Sequence, residues 1–259
     1  MNQSQGMRPL GVPGSLFLFA IPAIVLYYAH FFFVPSYVTR TGNPYLVGYL
    51  IAWSSTMALF LAAALVGYAL EGNAFRWKTL SARFRLARMS RTDWLWALGL
   101  FVISMALYFG LGFTSQILAR IPLLAPHPLV PSDFGAGGAT ARVPGVLMGL
   151  PLAGKTWVAA IFIIGWLLNV IGEEFWFRGY ILPRQERAMG ARAWIANGLM
   201  FGFNHIWQPW NLLLIVPGAL LGAYVVQTRQ NTWILIAVHG AMNVILVVVV
   251  LLNVAGIVV

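Results

Sequence analysis

The chain has 259 residues, of which 60% are hydrophobic and only 8% charged, with a mean hydropathy of +0.81. A soluble domain carries roughly 25% charged residues, so the composition excludes a water-solvated globule and implies an integral membrane protein. The net charge of +10 does not point to nucleic acid, because the basic residues lie between hydrophobic runs, as topology signals do, and the absence of cysteine excludes disulfides and thiolate chemistry.

A spanning helix needs roughly 20 mostly apolar residues. The N-terminus is polar as far as Ser15, and "LFLFAIPAIVLYYAHFFFVP" then follows without a small-residue cleavage site, which predicts a retained first span. Seven candidate spans result, over about 15–35, 45–70, 94–119, 156–182, 194–208, 211–228 and 232–259. The fifth and sixth are short, and Pro209 and Pro217 interrupt that region. The predicted fold class is all-α, a polytopic transmembrane helical bundle of about 7–8 spanning helices. There is no internal repeat, and the one low-complexity patch is "GAGGAT", Gly135 to Thr140.

Orientation follows from the Lys and Arg count. With the N-terminus cytoplasmic, eleven fall on inner segments: Arg8, Arg76, Lys78, Arg83, Arg85, Arg88, Arg91, Arg184, Arg187, Arg192 and Arg229. Four fall outside: Arg40, Arg120, Arg142 and Lys155. This asymmetry matches the positive-inside rule. The segment "FRWKTLSARFRLARMSR" is either an interfacial helix touching anionic headgroups or a basic loop that only sets topology. The Pro- and Gly-rich outer loop from Arg120 to Lys155 receives no chemistry.

Three polar clusters interrupt the later spans: "EEFWFR" at 173–178, "FGFNH" at 201–205 and "HGAMN" at 239–243. At about 1.5 Å per helical residue, Glu173, His205, His239 and Asn243 all lie roughly 10–16 Å deep. Ionisable groups at that depth are costly and tend to be functional. Glu174 and Arg178 are i, i+4 with the acid N-terminal, the favourable order for an ion pair. Glu173, turned about 100° away on an α-helix, lacks that partner. The doublet therefore divides: Glu174 with Arg178 is architectural, and Glu173 is free to react. Asn197, Phe201, Asn204, His205 and Gln208 follow one helical stripe, with Asn197, Asn204 and Gln208 as packing residues. Asn169 is placed to hydrogen-bond Glu173 from i−4. His30 and His127 match no motif and receive no role.

At these residues the sequence resembles the CPBP family of CAAX proteases and bacteriocin-processing enzymes (the Abi family), which are intramembrane endopeptidases related to the type II CAAX prenyl proteases. The family pattern is EExxxR, FxxxH and HxxxN. Glu173-Glu174-Phe-Trp-Phe-Arg178, Phe201-Gly-Phe-Asn-His205 and His239-Gly-Ala-Met-Asn243 match it without substitution. The resemblance covers roughly 157–250. It implies that residues 151–259 form the catalytic helical core. Residues 1–150 then add N-terminal transmembrane helices, a basic loop and a long outer loop, all within one structural domain. It further implies that Glu173 is the general base, that His205 helps hold and activate water, and that His239 and Asn243 stabilise the oxyanion. Peptide hydrolysis needs such a base and such donors.

No cofactor is firmly implied. Members of the family have been described both as metalloproteases and as metal-independent glutamic endopeptidases. If zinc is used, Glu173, His205 and His239 would hold it, although the H-E-x-x-H spacing is missing. The implied partners are the bilayer and a hydrophobic or prenylated peptide substrate, with no nucleic acid, and the site would open to the cytoplasm. The competing expectation is a non-catalytic scaffold or bacteriocin-immunity protein, or a proton-coupled transporter using the same Glu–His cluster as a relay.

Overall fold

The computed structural model describes residues 7–132, 134–136 and 143–258; Arg142 and residues 137–140 of the glycine-rich patch lie outside the described residues. The helices are α1 (Val12–Tyr28), α2 (Val34–Thr41), α3 (Tyr45–Leu70), α4 (Trp77–Arg83), α5 (Arg91–Leu111), α6 (Phe113–Leu118) and α7 (Thr156–Glu173). They continue with α8 (Leu182–Met189), α9 (Ala193–Asn204), α10 (Leu212–Arg229) and α11 (Trp233–Val254). Two π-helical stretches are inserted, Ala29–Phe33 between α1 and α2 and Glu174–Ile181 between α7 and α8. A two-strand hairpin, Val146–Leu147 with Leu150–Pro151, is the sheet among the described residues.

This is an all-α polytopic bundle. Large apolar side chains cover its outside, among them Phe17, Leu59, Leu95 and Phe109. Such a surface is stable only where lipid replaces water. Local signals set the helix ends. Ser90 and Asp93 form a capping box at the start of α5, with Asp93 N–H to Ser90 Oγ at 3.1 Å and Ser90 N–H to Asp93 Oδ2 at 3.0 Å. Gly42, at φ 68°, stops α2 in the left-handed region.

Among the described residues, six helical stretches are long and apolar enough to cross a membrane, against seven predicted. The difference lies in Thr156–Asn204, which contains two of the predicted spans. The chain turns back at Gly190 (φ 58°), and α9 has 12 residues, which reach only about 18 Å. That is too short to cross alone. The predicted span 156–182 runs on through the π-helical stretch to Met189, and Pro217 is accommodated inside α10 rather than ending it. The third predicted span bends at Gly112, where α5 gives way to α6.

The basic segment after α3 forms a short helix, α4, and makes contacts that neither sequence reading included. Phe75 and Trp77 are exposed, but Arg83, Phe84 and Leu86 are buried. Phe84 stacks on Phe175 at 4.8 Å, and Arg85 pairs with Glu186 at 2.6 Å. Charge counting could not reveal this, because it weighs the arginines without locating their partners.

Glycines let the central helices approach closely. α7 packs between α3 and α11, and α9 lies against α10. A Cβ on Gly172 would sit 2.7 Å from the Met57 carbonyl oxygen, and one on Gly198 would sit 2.6 Å from Leu220 Cα. Gly202, one helical turn from Gly198, faces Val216 in the same way, so Gly198 and Gly202 form a small-xxx-small face against α10. Because backbone atoms block the added methyl, Gly198→Ala should cost about 1–3 kcal/mol. Thermal unfolding in detergent should show this as a lower midpoint, whereas Gly110→Ala, with nothing within 4 Å of its added Cβ, should leave the midpoint unchanged.

Candidate active site

The site begins with an irregularity in the helix. Pro183 has no N–H, so the carbonyls one turn upstream lose a helical donor. The backbone winds through the π-helical stretch Glu174–Ile181 and closes with Leu182 N–H bonded to Phe177 O, an i→i+5 bond. The predicted 100° separation of Glu173 from Glu174 assumed uniform α-geometry. Instead Glu173 ends α7 and Glu174 opens the wider coil.

Glu174 is 1% exposed, hydrogen-bonded through one oxygen and beside a cation at the other. Its Oε1 accepts a hydrogen bond from His239 Nδ1 at 2.9 Å, and its Oε2 lies 3.6 Å from Arg178 Nε. The Arg178 contact is longer than a hydrogen bond. The guanidinium is held more closely by Phe201, whose ring centroid is 3.8 Å from the Arg178 guanidinium carbon. The phenylalanine of FxxxH and the arginine of EExxxR therefore meet face to face.

Glu173 is also buried, at 4% exposure, yet it makes no hydrogen bond or ion pair to the described residues. Its oxygens are absent from the sealed, unpaired buried atoms, so they keep contact with accessible space. It feels the charges of His239, Glu174 and Arg178 at longer range. Of the five described acidic side chains, Glu71, Asp93, Glu174 and Glu186 lie within 4 Å of an arginine, and Glu173 does not.

His205 lies just past the end of α9, not on a continuing helix, and Gln208 follows in a non-helical turn. The predicted stripe therefore ends at Asn204. The helix end is itself what presents His205. Its Nδ1–H donates to the last-turn carbonyl of Phe201 at 3.0 Å, which leaves Nε2 unpartnered and not sealed from accessible space. His205 and Glu173 share no hydrogen bond, but both lie within electrostatic range of His239.

His239 is engaged on both nitrogens, through Nδ1 with Glu174 and through Nε2 with Asn169 Nδ2 at 3.3 Å. Asn169 thus serves His239, not Glu173 as the i−4 spacing suggested. Asn243 donates to His239 O at 3.0 Å, which leaves its second amide proton free of that bond. Asn197 is a packing residue as expected, donating to Phe177 O at 3.0 Å and Gln185 Oε1 at 2.8 Å. Gln208 accepts from Asn211 at 2.8 Å, and Asn204 is buried with both amide atoms unpaired.

Among the described residues, no group of three or more His, Asp or Glu side chains is arranged to hold a metal ion. Glu173, His205 and His239 therefore do not form the ligand set that zinc would need; Glu174 and Asn169 occupy both His239 nitrogens.

Sequence reasoning missed two neighbours. His30, on the first π-helical stretch, is buried and stacks on Trp207 at 4.1 Å, and Trp207 lies 6.2 Å from His205. Arg83 reaches the π-helical stretch from the α4 segment. No local signal marks His30, whereas Pro183 was a legible sign that a nearby carbonyl needed an outside donor.

Residues 155–245, which hold all three motifs, match the family model described as Type II CAAX prenyl endopeptidase Rce1-like. No curated protein and no solved structure matches the chain. Over this segment, about a third of its length, the chain is similar to the type II CAAX prenyl endopeptidases.

Proposed function

We propose that the protein hydrolyses peptide bonds in hydrophobic or lipid-modified, CAAX-like substrates, with water activated by Glu173. The observation that carries this reading is the contrast within the doublet: Glu174 is held by Arg178 and His239, and Glu173 is left without a partner beside accessible space. A buried carboxylate without a partner is costly unless it has work to do.

In this mechanism a water lies between the Glu173 carboxylate and His205 Nε2. Glu173 takes one of its protons while the hydroxide oxygen bonds to the scissile carbonyl carbon. Negative charge then develops on the carbonyl oxygen. Asn243 offers its second amide proton to that oxygen. His239, oriented by Glu174 through Nδ1, donates to the same oxygen from a protonated Nε2 once Asn169 turns away from that nitrogen. As the intermediate collapses, the C–N bond breaks and the proton held by Glu173 passes to the leaving amine. The positive-inside count supports a cytoplasmic N-terminus and a site opening on that side.

In proteoliposomes with a fluorogenic prenylated peptide, Glu173→Gln should lower kcat by roughly 10²–10⁴-fold without lowering the thermal midpoint. Cleavage at the wild-type rate would remove Glu173 from the mechanism. Glu174→Gln should instead destabilise the fold, because a fully buried Arg178 loses its counter-charge, a loss of several kcal/mol in comparable pairs. Scanning fluorimetry of the two variants side by side checks that division: an inactive Glu174→Gln protein with an unchanged midpoint would contradict it.

A further inference from the structure

Arg83 lies outside the 155–245 segment and outside every motif, yet it is 7% exposed and makes four hydrogen bonds. Glu71, at the end of α3, grips its guanidinium with two bonds, Nε to Oε2 at 2.6 Å and Nη2 to Oε1 at 2.8 Å. The remaining donors point at the π-helical stretch: Nη1 donates to Gly179 O at 2.8 Å and Nη2 to Tyr180 O at 3.3 Å. Gly179 is four residues before Pro183, so its carbonyl is the one that the missing N–H leaves without an α-helical donor. Gly179 also lets Phe84 approach, since a Cβ there would sit 2.5 Å from that ring. An arginine side chain thus substitutes for a backbone donor, and a carboxylate keeps it in place.

We propose that Arg83, clamped by Glu71, is a positioning residue for the catalytic helix. It fixes the winding of Glu174–Ile181, and through it the register that presents Glu174 to His239 and Arg178 to Phe201. The N-terminal helices in this way contribute to a site whose motifs all lie in the C-terminal segment. This role rests on the proposed hydrolysis, so the test includes a readout that does not need activity.

The test compares wild type, Arg83→Met and Arg83→Met/Pro183→Ala in proteoliposomes, by peptide cleavage and by amide hydrogen exchange over residues 177–184. In Arg83→Met, exchange should quicken over 177–184 and not over α10, and kcat should fall roughly 10- to 100-fold with KM unchanged. Pro183→Ala restores an N–H that can reach Gly179 O, so the double variant should recover both slow exchange and most of kcat. A residue that only ties α4 to α3 would not be rescued this way. Wild-type exchange and kcat in Arg83→Met, or a folded double variant that recovers neither, would overturn the proposal. If Arg83→Met cannot be purified, Arg83→Lys provides the same readings, because a single ammonium cannot hold Glu71 through two bonds and also reach Gly179. Absence of cleavage by wild type would count against the hydrolytic reading, while the exchange data would still decide whether Arg83 holds the helix.

Discussion

The constraint on which this structure depends is the neutralisation of carboxylates in a chain that can hydrate few of them. Glu71, Asp93, Glu174 and Glu186 each face an arginine, at 2.6, 3.0, 3.6 and 2.6 Å respectively. These contacts tie the bundle together across long stretches of sequence, linking α3 to the α4 segment, α5 to α10 and the basic segment to α8. Glu173 is the exception among the described acids. Desolvation penalises an ionised carboxylate steeply, so this position is tolerable only where other contacts anchor the fold.

The anchoring comes from Glu174 and its surroundings. One carboxylate orients His239 and balances Arg178, while Arg178 spreads its charge over the Phe201 ring. Phe201 also supplies the carbonyl that fixes His205. The three motifs are therefore one connected network, running from Asn169 through His239, Glu174, Arg178 and Phe201 to His205. Displacing any member moves its neighbours. The helix carrying the glutamates departs from α-geometry where Pro183 removes a donor. Glycines at 165, 172 and 179 admit Trp53, the Met57 carbonyl and the Phe84 ring against that same helix. Residues far from the motifs in sequence thus pack directly against the helix that carries the glutamates.

Much of the fold was legible because bilayer thickness imposes a length on every crossing helix; six of the seven predicted runs correspond to stretches of sufficient length and hydrophobicity. The seventh, 194–208, shares the stretch Thr156–Asn204 with 156–182 and its helix ends early, at Asn204. That Glu174 would lie beside Arg178 was legible from their i, i+4 spacing. The Glu174–His239 bond was not, since spacing within one helix cannot say which residue of another helix faces it. Winding also left no trace in composition, and Arg83 was counted as a topology charge because its partner Glu71 and its target Gly179 are brought together only by tertiary packing.

The central claim, that one glutamate of the doublet is unpaired and open while the other is sealed in an ion pair, is most directly tested by carbodiimide labelling. A hydrophobic carbodiimide enters the bilayer and modifies carboxyl groups that are protonated and reachable. Labelling the reconstituted protein and mapping the adducts by mass spectrometry should place the label on Glu173, in step with loss of cleavage, and leave Glu174 unmodified. Modification of Glu174 with Glu173 untouched would contradict the account.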